Sequence, residues 1–283
     1  MIISVGSGKG GTGKTTVSTN LALSIGDIQF FDFDVEEPDS NIFLKTDILE
    51  SENVNVMIPE IDKEKCDFCG KCSEFCRYNA LAVIKDNVLV YPELCHSCGG
   101  CDLVCPKDAI SYNLRPIGKL EHGKKEGIDF YQAFLNIGEA QAIPVMKALK
   151  KKIDKNKDVI IDSPPGTACP FVETVETSDY CILVTEPTPF GLNDLKIAVE
   201  TVRLLNVPFG VIINRDGVGD NKVEIYCQQE KIPILTKIPQ SEEIAKLYSD
   251  GKTFVKTLPN WEHEFKKVFV EIKEEVKKRK KSQ

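Results

Sequence analysis

Apolar positions fall along this chain in short continuous runs, separated by stretches in which they recur at helical spacing. Ile2–Ile3–Ser4–Val5 reads as a buried strand. Val17, Leu21 and Ile25 then repeat at i, i+4 and i+8, with Gly26 as a helix stop. Phe30–Phe31–Asp32–Phe33–Asp34 predicts a second strand ending in carboxylates, and the proline and charges of Val35–Glu36–Glu37–Pro38–Asp39 predict a loop. Further on, the spacing predicts a helix over 137–151 with Ile143, Val145, Met146 and Leu149 as its apolar positions. A buried strand over Asp158–Val159–Ile160–Ile161–Asp162 follows. Strands over Tyr180–Thr185 and Phe209–Asn214 flank a helix over Asn193–Leu205. The last helix, Trp261–Lys278, sets Phe265, Val268, Phe269, Ile272 and Val276 on one side. Continuous apolar strands alternating with amphipathic helices predict an α/β fold, a doubly wound and mostly parallel sheet with helices on both faces.

That rhythm stops between 59 and 115, so three segments are expected. Residues 1–58 and 116–283 form the two parts of one α/β domain, and 59–115 is an inserted module. The 283 residues are 42% hydrophobic with a net charge of −7, which fits one large domain plus a small one. The acidic balance argues against general nucleic-acid binding, which needs clustered Lys and Arg. No apolar run reaches the length of a membrane span, and Met1 leads straight into the first strand. A cytoplasmic protein is therefore expected. The apolar stripe of the last helix suits core packing with a solvated basic tail, against the alternative of a membrane-surface anchor.

Between the first strand and helix lies Gly6-Ser-Gly8-Lys9-Gly10-Gly11-Thr12-Gly13-Lys14-Thr15-Thr16, which fits the phosphate-loop pattern G-x-x-x-x-G-K-T from Gly8 to Thr15. Glycines let backbone N–H groups close around phosphate oxygens at a helix N-terminus. Lys14 would reach the β and γ phosphates, and the Thr15 hydroxyl would sit on Mg²⁺. Strand, loop and helix in that order predict an ATP/ADP site. The acids at 32 and 34 stand where such a site handles its water and metal shell; solvated acids at a strand end are the plainer alternative. Asp162, at the end of a buried strand before a Gly-bearing turn, matches a second Mg²⁺-shell acid.

The cysteines carry the other signal. Cys66-x2-Cys69-x2-Cys72-x3-Cys76 is repeated as Cys95-x2-Cys98-x2-Cys101-x3-Cys105-Pro106, the spacing of a two-cluster 4Fe–4S ferredoxin. Three thiolates two residues apart wrap one cubane, while the fourth points the other way. Cys66, Cys69, Cys72 and Cys105 are thus expected on one cluster, and Cys95, Cys98, Cys101 and Cys76 on the other. Structural zinc is the alternative, because C-x2-C pairs also bind zinc. The two halves resemble one another, and each is expected to add a short strand, near Leu81–Ile84 and Ala109–Tyr112. With no basic stripe, the module's partners are expected to be proteins. Cys181 and Cys227 read as small core hydrophobes, and Cys169 as either inert or redox-active.

Lys9 directly after the first loop glycine, in KGGTGKTT, resembles the deviant phosphate loop of the MinD/ParA family of dimerising ATPases, which includes the nitrogenase iron protein and Mrp-type iron–sulfur carriers. DSPPGT, at 162–167, resembles that family's second switch, and VTEPTPFGLNDLK resembles members with an inserted ferredoxin domain. The resemblance implies a homodimer in which Lys9 reaches the other subunit's nucleotide, although Lys9 is also simply one more cation near a phosphate. It implies that Asp34 positions the attacking water with Asp32 in support, that Gly166 belongs to the switch, and that Asn214–Arg215 meets the adenine base. The family often has Asn where this chain has Asp39. Two functions then compete: ATP-gated electron transfer to a protein donor or acceptor, and delivery of a cluster or metal to an apo-metalloprotein client. A positioning role on membrane or DNA is disfavoured by the acidic chain.

Overall fold

The computed structural model describes residues 1–282. In chain order the elements are β1 (Ile2–Gly6), α1 (Lys14–Ile25), β2 (Ile28–Asp32), α2 (Ser40–Leu44), β3 (Asp47–Ile61), α3 (Lys71–Phe75), β4 (Leu81–Ile84), β5 (Asn87–Val90), α4 (Gly100–Leu103), β6 (Ile110–Lys125) and β7 (Ile128–Leu135). They continue with α5 (Ile143–Lys150), β8 (Val159–Asp162), α6 (Cys169–Val175), β9 (Tyr180–Thr185), α7 (Pro189–Leu204), β10 (Phe209–Asp216), α8 (Lys222–Gln229), β11 (Ile234–Pro239), α9 (Glu242–Ser249) and α10 (Pro259–Ser282).

One sheet orders its strands β11-β10-β9-β1-β8-β2-β7-β6-β3. It is parallel from β11 through β7, and antiparallel where β6 joins β7 and β3 joins β6. Successive side chains on a strand point to opposite faces, and the core divides accordingly. Ile3, Val5, Phe30, Ile160, Ile182 and Ile212 face Val17 and Leu21 of α1 and the Phe265–Val268–Ile272 stripe of α10. The alternate positions Cys181, Leu183, Val211 and Ile213 pack under α6, α7 and α8. Phe31 and Ile161 pack with Val145, Met146 and Leu149 of α5. These strands are buried on both sides, which is why they are mostly apolar. The stripe of α10 is spent on this core, and among the described residues no helix is long and apolar enough to cross a membrane.

Several boundaries differ from the sequence reading. The second strand ends at Asp32, so Asp34 stands in the loop beyond it. The helix expected over 137–151 begins only at Ile143, one residue before Pro144, whose ring suits a first helical turn. The expected limits 59 and 115 fall inside β3 and β6. These two long strands form one antiparallel ladder from Asp47↔Lys124 to Ile61↔Ile110, and the strand expected near Ala109–Tyr112 is the far end of it. The cysteine-bearing stretch hangs from that end, with β4–β5 as its own small hairpin. Its attachment is braced. Arg115 pairs through both terminal guanidinium nitrogens with Glu139, Gln141 Nε2 donates to the Cys95 carbonyl at 3.3 Å, and Val56 and Ile58 pack with α5.

Candidate functional site

The loop between β1 and α1 opens into a broad cleft at the carboxyl ends of the parallel strands, where ligands of doubly wound sheets bind. One half is lined by Gly10, Gly11, Gly13, Lys14, Thr15 and Thr16, and by the acids Asp34, Glu37, Asp39 and Asp162. The other half is lined by Asn214, Arg215 and Gln240, and by Val218, Pro239, Ile244, Ala245 and Tyr248. Gly13 has φ +95°, and a Cβ there would also strike the Asn214 amide. Gly8 is required for a different reason, because a Cβ would collide with the backbone carbonyl of Asp194 on α7.

The acids form a graded set. Asp32 is fully buried and accepts hydrogen bonds from the N–H groups of Asp34 (3.1 Å), Asp39 (3.1 Å) and Ser40 (3.0 Å). It therefore shapes the loop and does not line the cleft. Burial, then the neighbouring Asp162, pushes its carboxyl well above the usual range. Asp162 is raised to about 7, chiefly by burial, with Lys14 and the Thr15 hydroxyl opposing. Its Oδ2 accepts from Ser40 Oγ at 3.2 Å, while its buried Oδ1 has no partner. Burial also raises Asp34 and Asp39. Asp32, Asp39 and Asp162 bring carboxylate oxygens within 4.8 Å of one another. An orphaned buried carboxylate oxygen beside Thr15 and Asp39 fits a hard divalent cation with oxygen ligands. Asp39 was legible only as a departure from a family pattern; its place beside Thr15 comes from the fold.

Other expected residues are distributed as follows. Lys9 is half-buried and lies outside the cleft lining, its carbonyl accepting from Ser7 Oγ at 2.5 Å. Thr12 is buried, and its carbonyl accepts the Asn214 Nδ2 at 2.8 Å. Asn214, expected at the base, thus lines the cleft while its amide nitrogen fastens the phosphate loop. Arg215 reaches Glu186 at 2.6 Å. Gly166 follows Pro165, the last residue of its turn to line the cleft. Cys169 is exposed at the start of α6, and Cys181 and Cys227 are buried, as expected of small core residues.

The cysteine module holds two small chambers. Cys66, Cys69, Cys72 and Cys105 line one; Cys76, Cys95, Cys98 and Cys101 line the other. Each set takes three residues from one motif and one from the other. The backbone repeats with them. Phe68 and Ser97 N–H donate to Cys66 and Cys95 Sγ, and Ala80 and Ala109 N–H to Cys76 and Cys105 Sγ, all at 3.4 Å. Phe68, Ser97, Asn79 and Asp108 all have positive φ, which turns the chain tightly around the sulfurs. Tyr112 breaks the repeat, its hydroxyl donating to the Gly99 carbonyl at 3.3 Å. No cysteine is disulfide-bonded among the described residues.

Known proteins resemble this chain over most of its length. Residues 3–254 match the family model of the CobQ/CobB/MinD/ParA nucleotide binding domain. An uncharacterized protein of Methanocaldococcus jannaschii, MJ0579, is 30% identical over 90% of this chain and 92% of its own length. An iron-sulfur cluster carrier protein of Pyrococcus horikoshii is 26% identical over 84% of this chain and 73% of its own. The solved structure of the septum site-determining protein MinD with Mg-ADP, also from P. horikoshii, superposes with a TM-score of 0.57 at 20% identity, covering 94% of this chain and 93% of that one, a likeness of fold. With its phosphate loop, acid cluster and sheet order in place, the chain belongs to the CobQ/CobB/MinD/ParA nucleotide binding domain family and is a P-loop ATPase of the MinD/ParA type.

Proposed function

We propose that this ATPase is an iron–sulfur protein whose nucleotide cycle is coupled to electron transfer through two 4Fe–4S clusters. One observation carries the reading: each chamber gathers three cysteines of one motif and the fourth of the other. A zinc module needs no such exchange. Backbone N–H groups already aimed at four of the sulfurs suit anionic thiolate ligands. Bound there, the clusters would supply one-electron chemistry at low potential. The chain's part is to hold the thiolates, cover them with apolar residues such as Val83, Val88 and Ile110, and fix the module against the ATPase through Arg115–Glu139 and Gln141.

At the cleft, Lys14 and the loop amides bind the triphosphate. Thr15 and Asp162, joined by Asp39, hold the Mg²⁺ shell. Asp34 positions the attacking water from the loop that Asp32 shapes. In a homodimer, Lys9, free of its own cleft, would serve the partner's nucleotide. The partner protein is an electron donor or acceptor. A second reading, delivery of a cluster to an apo-protein, has support from the P. horikoshii relative named an iron-sulfur cluster carrier protein. Two chambers with four cysteines each favour retained clusters over a cargo held by few ligands.

The test is the crossing. Anaerobically purified protein should hold about eight irons and eight sulfides per chain. Cys105→Ser should remove about half the iron and disturb the EPR signal of the cluster held by Cys66, Cys69 and Cys72. Cys76→Ser should disturb the other. Loss of each variant's own local cluster would defeat the exchange, and two zincs without sulfide would overturn the redox reading.

A further inference from the structure

The half of the cleft away from the phosphate loop contains a residue that no phosphate-loop or switch motif names. Tyr248, on α9, lines it, and is the one aromatic side chain to do so among the described residues. Its ring is stacked on Phe43 of α2, with centroids 5.0 Å apart and planes 27° from parallel. Phe43 is buried, whereas Tyr248 is 45% exposed. One ring face therefore rests on a fixed support and the rest of the ring is open to the cleft. Nearby Val218 is 54% exposed, and no residue of α9 is fully buried. An aromatic ring and a valine left uncovered inside a concave site mark a place for a ligand to cover.

The support is as informative as the ring. Phe43 lies one turn after Asp39 and Ser40, and Ser40 Oγ bonds Asp162. The stack thus joins the metal-side loop to α9, which starts beside Pro239, Gln240 and Ser241 at the cleft's far end. Between those ends a nucleotide presents its ribose and base, the parts that the phosphate loop does not hold. A flat, apolar, preorganised ring suits a nucleoside and offers nothing to a bare polyphosphate.

We propose that Tyr248 is a nucleoside-binding residue of this ATPase, covering the ribose–base portion of ATP with its ring held in place by Phe43. It acts on which phosphate compounds are accepted, while the phosphate loop acts on how they react. Every base has a π-face, so the ring selects a nucleoside over inorganic phosphates without choosing strongly among bases.

Titration calorimetry of the full chain with Mg–ATP and with Mg–tripolyphosphate separates the two contributions. Tyr248→Ala should weaken ATP about tenfold, within the range for losing one stacked ring, and leave tripolyphosphate unchanged. Tyr248→Phe should stay within about twofold of wild type for both. Phe43→Leu, which keeps an apolar support but not a flat one, should fall between them for ATP. In steady-state hydrolysis, KM should rise for Tyr248→Ala with kcat retained. Equal weakening of ATP and tripolyphosphate would mark Tyr248 as structural and overturn the assignment, as would unchanged ATP affinity in Tyr248→Ala. Loss of ATP binding in Lys14→Ala but not in Tyr248→Ala would leave the nucleotide site standing and remove only the ring.

Discussion

The nucleotide cleft takes its walls from five separated segments, around residues 10–16, 34–39, 162–165, 214–218 and 239–248, which meet only because the sheet aligns its strand ends. The cysteine module closes both chambers within one continuous stretch, between the end of β3 and the start of β6, by folding a duplicated sequence on itself. The first site depends on the large core for its geometry. The second depends on local turns with positive φ and on its own sulfurs. The cleft and the cysteine chambers thus rest on different sources of order, and they should fail independently.

The largest expected effect tests that independence. Lys14→Ala should reduce ATP hydrolysis by about 10²–10³-fold, as expected for removing a principal charge-stabilising donor. Iron content should remain at the wild-type value. If the variant also loses iron, the two regions are not separable and the comparison breaks.

A smaller effect sharpens the cleft side. Asp34→Ala should lower turnover by about 10²-fold while keeping ATP affinity, since a water-positioning group acts in the reaction and not in binding. Size-exclusion chromatography with ATP should then show a persistent dimer. Lys9→Ala, if it works across the dimer, should lose turnover without that trapping. Wild-type turnover in Asp34→Ala would remove it from the mechanism.

The smallest effect is a pH dependence belonging to the cleft alone. Folding raises the Asp162 carboxyl to about 7, so the folded state binds its proton more tightly than the unfolded chain does. That contribution is present in full below the unfolded value near 4 and is lost as pH rises toward 7. Between about pH 5 and 7 the nucleotide-free protein should show a Tm that falls by a few degrees. The gain from Mg–ADP should grow over the same range, because the cation needs the ionised carboxylate. A flat Tm profile in scanning calorimetry, with an equally flat Mg–ADP gain, would show that Asp162 is ionised throughout.

The two regions also differ in how far they could be read from residues alone. The cysteine spacing points to all eight cysteines that line the chambers and to their grouping as three from one motif and one from the other. The phosphate loop, Asp34 and Asp162 were legible because each sits at the end of an apolar run. The rest was hidden for physical reasons. In β3 only Val54, Val56 and Ile58 alternate inward, while 47–53 is exposed, so most of a fifteen-residue strand carries no period-two signal. It is held by pairing with β6 and not by burial. Strand β7 was masked by proximity, since Glu126 and Gly127, both at positive φ, turn it directly back from β6. Tyr248 was invisible because α9 has the amphipathic pattern of any surface helix, and only the packed structure shows the cleft beneath it.

The β3–β6 ladder described above has a mechanical consequence. Beyond the Gly118↔Leu135 pair it leaves β7 and continues from Asn55↔Pro116 to Ile61↔Ile110. At roughly 3.3 Å per residue that overhang is about 20 Å of stiff ribbon. At its root the Leu135 N–H donates to the Val35 carbonyl at 2.8 Å, one residue past Asp34. The cysteine stretch is thus carried on a stiff ribbon whose base adjoins the cleft, with Arg115–Glu139 and the packing of Val56 and Ile58 on α5 holding it in place.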